Sequence, residues 1–163
     1  MKKFKLTSEF IVDISGVKLF RIKALIEFGN VKAGDLGGYI EKEENLSHMG
    51  DAWVSDDARI SGNAQVFGNA RVFGNARVSG DAQVFGDARV SGDKDYAYAH
   101  GFGSCNRTTT FFRLKDGDVG VRCGCFYGTL AQFRDKVCET HGETKKAQEY
   151  LMLADLMEIR FKN

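Results

Sequence analysis

The segment between Gly101 and Arg113, GFGSCNRTTTFFR, has a composition typical of a binding site for a small anion. Glycine-rich turns let backbone N–H groups approach an anion, arginine offers a planar fork of donors, and aromatic rings stack on bases. We therefore predict a small anionic, nucleotide-like ligand here. The predicted ligand-binding residues are His100, Ser104, Asn106, Arg107, Thr108, Thr110 and Arg113. A structural role is the alternative, because consecutive threonines are also ordinary strand formers.

A second group of reactive side chains has a zinc-like spacing, Cys123-Gly-Cys125 followed by Cys138 and His141. A helix that begins near Thr129 places Cys138 about nine residues along it, some ~14 Å at 1.5 Å per residue. Ligands of one zinc ion lie within ~4 Å of each other, so we predict free thiols and no metal or cofactor. The same distance argues against a Cys125–His141 pair, although Cys125 near a helix start would be a somewhat acidic thiol.

The elements that position these groups follow from a six-residue repeat. Residues 52–93 read AWVSDD, ARISGN, AQVFGN, ARVFGN, ARVSGD, AQVFGD, ARVSGD. A helix would place glycine in every second turn, at roughly 1 kcal/mol each relative to alanine, so helix is excluded. Side chains alternate in direction along a strand, so alanine and valine point inward together. Each hexad is thus a short strand followed by a corner, which is Gly-Asn or Gly-Asp in all but the irregular first hexad, and the whole is a solenoid.

A longer period gives the number of sides of this solenoid. The residue after each alanine runs Arg, Gln, Arg, Arg, Gln, Arg from position 59 to position 89, which repeats after three hexads. A three-sided coil of 18 residues is the simplest account. Like residues then stack on one side, about 4.8 Å apart from coil to coil.

The hexads Val66-Phe-Gly-Asn69-Ala70 and those that follow resemble the hexapeptide-repeat proteins. The resemblance implies a left-handed parallel β-helix, commonly a trimer, in a family that holds both acyltransferases and inert scaffolds. An acyltransferase would use a histidine at a subunit boundary, and His100 is the candidate. Against this alternative, no long loop interrupts the hexads, and about three coils are available for a pantetheine groove.

The two ends of the chain are predicted to be caps. We assign residues 1–35 to an N-terminal β-hairpin cap around Ser15-Gly16, residues 36–98 to the β-helix with an eroded first coil at 36–51, and residues 99–163 to a C-terminal module. In that module RTTTFFRL, KDGD and VGVRC predict a hairpin. Thr129 and Thr144 cap two helices, the first stopped by Gly142. This arrangement resembles uncharacterised proteins of bacteriophages and prophages.

Three phenylalanines, Phe67, Phe73 and Phe85, are predicted to point outward from the solenoid. Stacked exposed rings imply a covered face, and symmetric self-association is the economical cover. We therefore predict a homo-oligomer, expected as a trimer, with these residues at the interface. Packing of the C-terminal helices onto the same face is the alternative.

Composition narrows the remaining possibilities. The 163 residues carry a net charge of +1 with both signs interspersed, which predicts neither a nucleic-acid polymer nor a membrane as a partner. We expect a cytoplasmic protein with reduced thiols. The leading hypothesis is a non-enzymatic, phage-type binding protein that sequesters a small nucleotide-like signal of host defence. The alternatives are an acyltransferase and a purely structural or interaction scaffold.

Overall fold

The protein is mainly β, with two α-helices at the C-terminus. The computed structural model describes residues 1–103 and 107–162. The strands are β1 (Phe4–Val12), β2 (Lys18–Ala24), β3 (Leu36–Ile40), β4 (Trp53–Val54), β5 (Arg59–Ile60), β6 (Gln65–Val66), β7 (Arg71–Val72), β8 (Arg77–Val78), β9 (Gln83–Val84), β10 (Arg89–Val90), β11 (Tyr96–Phe102), β12 (Arg107–Arg113), β13 (Val119–Cys123) and β14 (Phe126–Thr129). The helices are α1 (Leu130–His141) and α2 (Lys145–Arg160), with 3-10 turns at Glu43–Asn45 and Asp93–Asp95.

Strands β4 to β10 form a parallel β-solenoid with three sides. The first side contains β3, β5 and β8, the second contains β4, β7 and β10, and the third contains β6 and β9. On the second side Trp53 lies beside Arg71, and Arg71 beside Arg89, so each neighbour is 18 positions later. The 18-residue coil predicted from the Arg/Gln period is therefore present in the structure.

Alanine and valine side chains fill the inside of the solenoid. All alanines, valines and isoleucines at the two inward positions of the hexads from residue 52 to residue 90 have no exposed surface. The corners turn on glycine, as at Gly68, where φ is +70°. A Cβ there would approach the Gly86 nitrogen of the next coil to 2.8 Å, so glycine is needed for both its conformation and its size.

The first coil has a different register from the one predicted. Extended upstream, the hexad frame predicts that LSHMGD, residues 46–51, places Leu46 in the alanine position and His48 in the valine position. Instead Leu46 lies beside Val66 and takes the valine position, while His48 is half-buried and stacks on the Phe4 ring at 4.2 Å. Leu46 and Val66 are 20 positions apart rather than 18, so this coil contains two additional residues.

A buried amide explains the irregular coil. Asn45 is fully buried at the end of the 3-10 turn Glu43–Asn45. Its Nδ2 donates to the Ala64 carbonyl at 2.8 Å and to the Gly62 carbonyl at 3.2 Å. The turn therefore replaces the short strand of a regular hexad and satisfies carbonyl groups of the coil above it.

The N-terminal hairpin covers one end of the solenoid. Strands β1 and β2 are antiparallel, and β2 pairs with β3, which continues into the first side. Phe4, Ile22 and Val31 belong to the same buried cluster as the alanine and valine interior. The Lys3 ammonium, also buried, donates to the Ala52 carbonyl at 2.6 Å and lies 4.5 Å from the centre of the Phe28 ring.

The C-terminal sheet, in the order β11-β12-β13-β14, covers the other end. The two faces of β12 separate two cores. Phe112 packs into the solenoid interior, whereas Phe111 packs against the helices. The Lys115 amide donates to the Asp87 carbonyl at 3.0 Å, which joins the β12–β13 turn to the last coil.

The two helices pack on the outer face of this sheet. The Thr129 and Thr144 side chains accept from the backbone N–H groups of Gln132 and Ala147 and so cap α1 and α2 as predicted. The second core is formed by Phe111, Val121, Phe133, Tyr150 and Ala154 together with their neighbours. No helix among the described residues is long and apolar enough to cross a membrane.

Candidate functional site

The segment predicted to be a ligand-binding loop is largely strand. Strand β11 continues to Phe102 and β12 begins at Arg107, so the segment is a hairpin whose side chains alternate between two faces. Ser104 and Asn106 lie outside the described residues. The remaining candidates are therefore distributed over both faces of the sheet and do not converge on one cavity.

Thr110 and Arg113 are engaged within the protein. Thr110 is fully buried, and its Oγ1 accepts a hydrogen bond of 2.9 Å from the backbone amide of Gln83 in the last coil. The Arg113 Nε lies 3.6 Å from an Asp95 carboxylate oxygen, and its guanidinium lies 5.3 Å from the centre of the Phe161 ring. Both side chains thus connect elements of the fold.

His100 and Thr108 form a pair across the β11–β12 hairpin. They are opposite each other in the antiparallel register, and His100 Nδ1 lies 2.7 Å from Thr108 Oγ1. The imidazole is exposed. His100 therefore lies on strand β11, opposite Thr108.

Arg107 lies at a cavity between the sheet and the two helices. The cavity has a volume of about 260 Å³. It is lined by Arg107, Cys123, Cys125, Phe126, Phe133, Lys136, Val137, Thr140, His141 and Tyr150. We call it the C-terminal pocket.

Chain reversal after β14 brings these residues together. Cys125 lies in the β13–β14 turn, and the four residues of β14 carry the chain about 13 Å from that turn before α1 begins. Helix α1, about 18 Å long, then runs back, so its last turn returns to the β13–β14 turn. Cys125 and His141 therefore line the same pocket, whereas the sequence argument from helix length placed them apart. The expectation that they do not act as a pair stays a prediction.

Positive charge predominates along the wall of the C-terminal pocket. Arg107 comes from the start of β12, and Lys136 and His141 come from α1. No aspartate or glutamate is among the described residues that line it. Lys136 Nζ has a carboxylate, that of Glu139, at 3.8 Å, but this contact is exposed on the helix surface and contributes little.

A glycine makes room for the Arg107 guanidinium. Gly124, the first residue of the β13–β14 turn, has φ +58°, and a Cβ at this position would overlap the Arg107 guanidinium. The left-handed conformation favours glycine here, and a side chain at this position would push the end of the Arg107 side chain aside. Arg107 and Cys125 both line the pocket.

The floor of the C-terminal pocket is aromatic and contains a short hydrogen-bonded chain. Phe133 contacts Phe126 and Tyr150, with ring centres 5.8 Å and 5.6 Å away. Thr109 Oγ1 donates to Cys123 Sγ at 3.3 Å, and Cys123 Sγ lies 3.7 Å from the Tyr150 hydroxyl. Burial, followed by the contact with Cys123, raises the pKa of the Tyr150 phenol to about 12, so it remains neutral.

The cysteines of this region are free thiols. Cys123, Cys125 and Cys138 form no disulfide, and Cys125 and Cys138 are exposed. No group of three or more His, Cys, Asp or Glu side chains arranged to hold a metal ion occurs within residues 1–103 and 107–162.

Two of the three phenylalanines predicted to form a subunit interface, Phe67 and Phe85, have ring neighbours within the chain, whereas Phe73 follows β7 on the second side. Phe67 and Phe85 stack on the third side with ring centres 4.6 Å apart. The Arg122 guanidinium lies over both rings, at 5.2 Å and 4.6 Å, and Tyr127 meets Phe85 edge-on at 4.8 Å. The C-terminal sheet, rather than the helices of the sequence alternative, thus covers part of this side. The subunit interface stays a prediction.

Comparison with protein families identifies the repeat. Residues 64–80 and 82–93 match the family described as the YdcK beta solenoid repeat. This part of the chain is similar to the YdcK solenoid. The match falls on β6 to β10, the most regular coils, and supports a β-solenoid repeat protein. The C-terminal pocket lies outside the YdcK-like repeat. No curated protein matches the chain.

Proposed function

We propose that the protein binds a small anionic ligand with a planar ring, such as a nucleotide, in the C-terminal pocket. The observation that carries this proposal is the convergence of Arg107, Lys136 and His141 around an aromatic floor, with no carboxylate among the described lining residues. Guanidinium and ammonium groups bind phosphate oxygens by charge-assisted hydrogen bonds. Aromatic rings accept a nucleobase or another flat group by stacking.

The rigid part of the pocket is its aromatic lining, because Phe133 and Tyr150 are buried. Lys136 and Arg107 are exposed, and Arg107 lies against the Gly124 turn. Rings that are already fixed by packing lose little conformational entropy on binding. The aromatic floor is part of the second core, so the ring of the ligand would extend an existing packed cluster.

The biological role that we propose is sequestration without turnover. The resemblance to proteins of bacteriophages and prophages is the basis for a ligand that acts as a nucleotide signal of host defence. Binding in the host cytoplasm would lower the free concentration of such a signal by mass action. The seven hexads also support a left-handed, hexapeptide-type winding of the solenoid, and the resemblance to hexapeptide-repeat proteins supports a trimer.

The proposal is tested by calorimetric titration and thermal shift with a panel of nucleoside monophosphates, cyclic nucleotides and acyl-CoA. We expect saturable stabilisation by at least one nucleotide and a loss of affinity of tenfold or more in Arg107→Gln and Lys136→Gln. Lys146→Gln is the matched control, because Lys146 is an exposed lysine of α2 outside the pocket.

Three results would overturn the proposal. If no compound in the panel binds or stabilises the protein, and sedimentation shows that the protein is folded and oligomeric, a scaffold would be favoured. Binding of acyl-CoA with turnover that is lost in His100→Ala would favour an acyltransferase. Nucleotide binding that survives both Arg107→Gln and Lys136→Gln would place the site elsewhere.

A further inference from the structure

A second group of arginines lies on the second side of the solenoid, far along the chain from the C-terminal pocket. Arg71 and Arg89 are direct neighbours on the parallel strands β7 and β10. They line a groove of about 470 Å³ together with Asn30, Ser55, Asp56 and Phe73. Two like charges at adjacent positions of a parallel pair repel each other unless an anion lies between or beside them.

Packing surrounds the Arg71 side chain, and the Asp51 carboxyl group lies against the same Gly29 turn. Its side chain is half-buried, and within residues 1–103 and 107–162 it makes no hydrogen bond and no ion pair within 4 Å. Gly29, with φ +52°, closes over it, and a Cβ on Gly29 would lie 2.6 Å from Arg71 Nη2. Trp53 occupies the neighbouring position on β4.

The surrounding charges leave this guanidinium incompletely neutralised. Burial and then the neighbouring Arg89 lower the pKa of Arg71, and only Asp51 acts in the opposite direction. The Asp56 carboxylate also lines the groove as a second negative charge, and its Oδ2 accepts the Gly74 amide at 3.0 Å, which fixes it at the corner of the coil. Arg89 directs one Nη1 to the carbonyl groups of Asn69 and Ala88, which fixes its orientation.

We propose that Arg71 and Arg89 form a second binding site, for the tetrahedral oxyanion of a small phosphate- or sulfate-bearing ligand. The planar fork of Arg71 has free donors for two oxygens of such a group, and Arg89 adds a second charge. The Asn30 amide and the Ser55 hydroxyl line the same groove and are available as further donors. This site is independent of the C-terminal pocket, and its success or failure does not depend on that of the proposed function.

The test is a titration of the full chain with inorganic phosphate at constant ionic strength, with arginine side-chain Nε–Hε NMR signals as the readout. We expect saturable shifts of the Arg71 and Arg89 signals. Arg71→Gln and Arg89→Gln should each weaken binding at this site by about tenfold or more. Arg77→Gln is the matched control, since Arg77 occupies the same hexad position on the first side but is exposed. Arg71, Arg89 and Arg107 give separate Nε–Hε signals, so phosphate binding in this groove is distinguished from binding in the C-terminal pocket.

Two outcomes would overturn the inference. Equal, non-saturating shifts of all arginine signals would show charge screening only. If phosphate leaves the Arg71 signal unchanged and Arg71→Gln instead dissociates an oligomer in sedimentation velocity, the groove is occupied by an acidic group of a second copy. Circular dichroism of each variant establishes that it is folded. If one of Arg71→Gln and Arg89→Gln does not fold, the other variant is compared with the wild type.

Discussion

The backbone amide of Gln83 donates a 2.9 Å hydrogen bond to the side-chain hydroxyl of Thr110. Gln83 belongs to the last coil of the solenoid and Thr110 to the C-terminal sheet. The last coil of a solenoid presents backbone groups that have no next coil to pair with. This contact satisfies one of them and fixes the sheet, with the C-terminal pocket on its far side, relative to the repeat.

Replacing this hydroxyl tests how the sheet is joined to the solenoid. We expect Thr110→Val to lower the free energy of unfolding by about 1–3 kcal/mol, because the Gln83 amide would lose its acceptor in a partly buried position. Thr108→Val is the control: Thr108 lies on the same strand, and its hydroxyl contacts the exposed His100. Urea unfolding measures both. Equal losses in the two variants would contradict the role given to Thr110.

The N-terminal cap predicts a pH dependence of stability. Burial lowers the pKa of the Lys3 ammonium to about 8 from its ordinary 10.5, with Asp51 acting in the opposite direction. Between these values the unfolded state binds more protons than the folded state, so this residue's contribution to stability rises with pH and is lowest below pH 8. Compared with Lys3→Met, the wild type should gain about 1 kcal/mol between pH 7 and pH 9.

Urea unfolding of both proteins at the two pH values checks this expectation. The comparison with Lys3→Met removes the titration of all other groups, because they are common to both chains. A difference in unfolding free energy that stays constant, or that shrinks as the pH rises, would show that the ammonium is not destabilised by burial.

A substitution in the β13–β14 turn should weaken ligand binding in the C-terminal pocket. Gly124→Ala should displace the Arg107 guanidinium, because the new Cβ overlaps it, and should weaken ligand binding to the C-terminal pocket by about tenfold. Gly117→Ala is the control: Gly117 is also a turn glycine with positive φ, but a Cβ there meets nothing within 4 Å. Both variants carry backbone strain of about 1 kcal/mol. Calorimetric titration that shows equal affinity for both would contradict the placement of Arg107.

The solenoid was predictable because its signal is local. Alternation within each hexad identifies the inward alanine and valine, and the Arg/Gln order gives the coil length. The predicted register of the first coil was wrong for a physical reason. Leu46 fits either inward position by hydrophobicity, and the hydrogen bonds of Asn45 to the next coil decide between the two positions. A single buried polar side chain thus changed the register.

The C-terminal pocket was only partly predictable. Arg107 was predicted as a ligand-binding residue because its segment combines glycine, arginine and aromatic residues. Lys136 and His141 were not predicted as its neighbours. Lys136 and His141 are five residues apart, roughly 140° around a helix, so their spacing alone does not make them neighbours. Their approach to Arg107 depends on the length of β14, a strand that the sequence did not predict. Reversal of the chain after this strand is a tertiary property.

The most direct measurement of the central claim is a map of backbone amide NMR shifts on titration with a nucleoside monophosphate that binds in the panel. The C-terminal pocket predicts that the largest shifts fall on residues 123–126 and 136–141 and on Tyr150, and that they are lost in Lys136→Gln. Shifts confined to the exposed hairpin around His100 and Thr108, or to the sides of the solenoid, would contradict it.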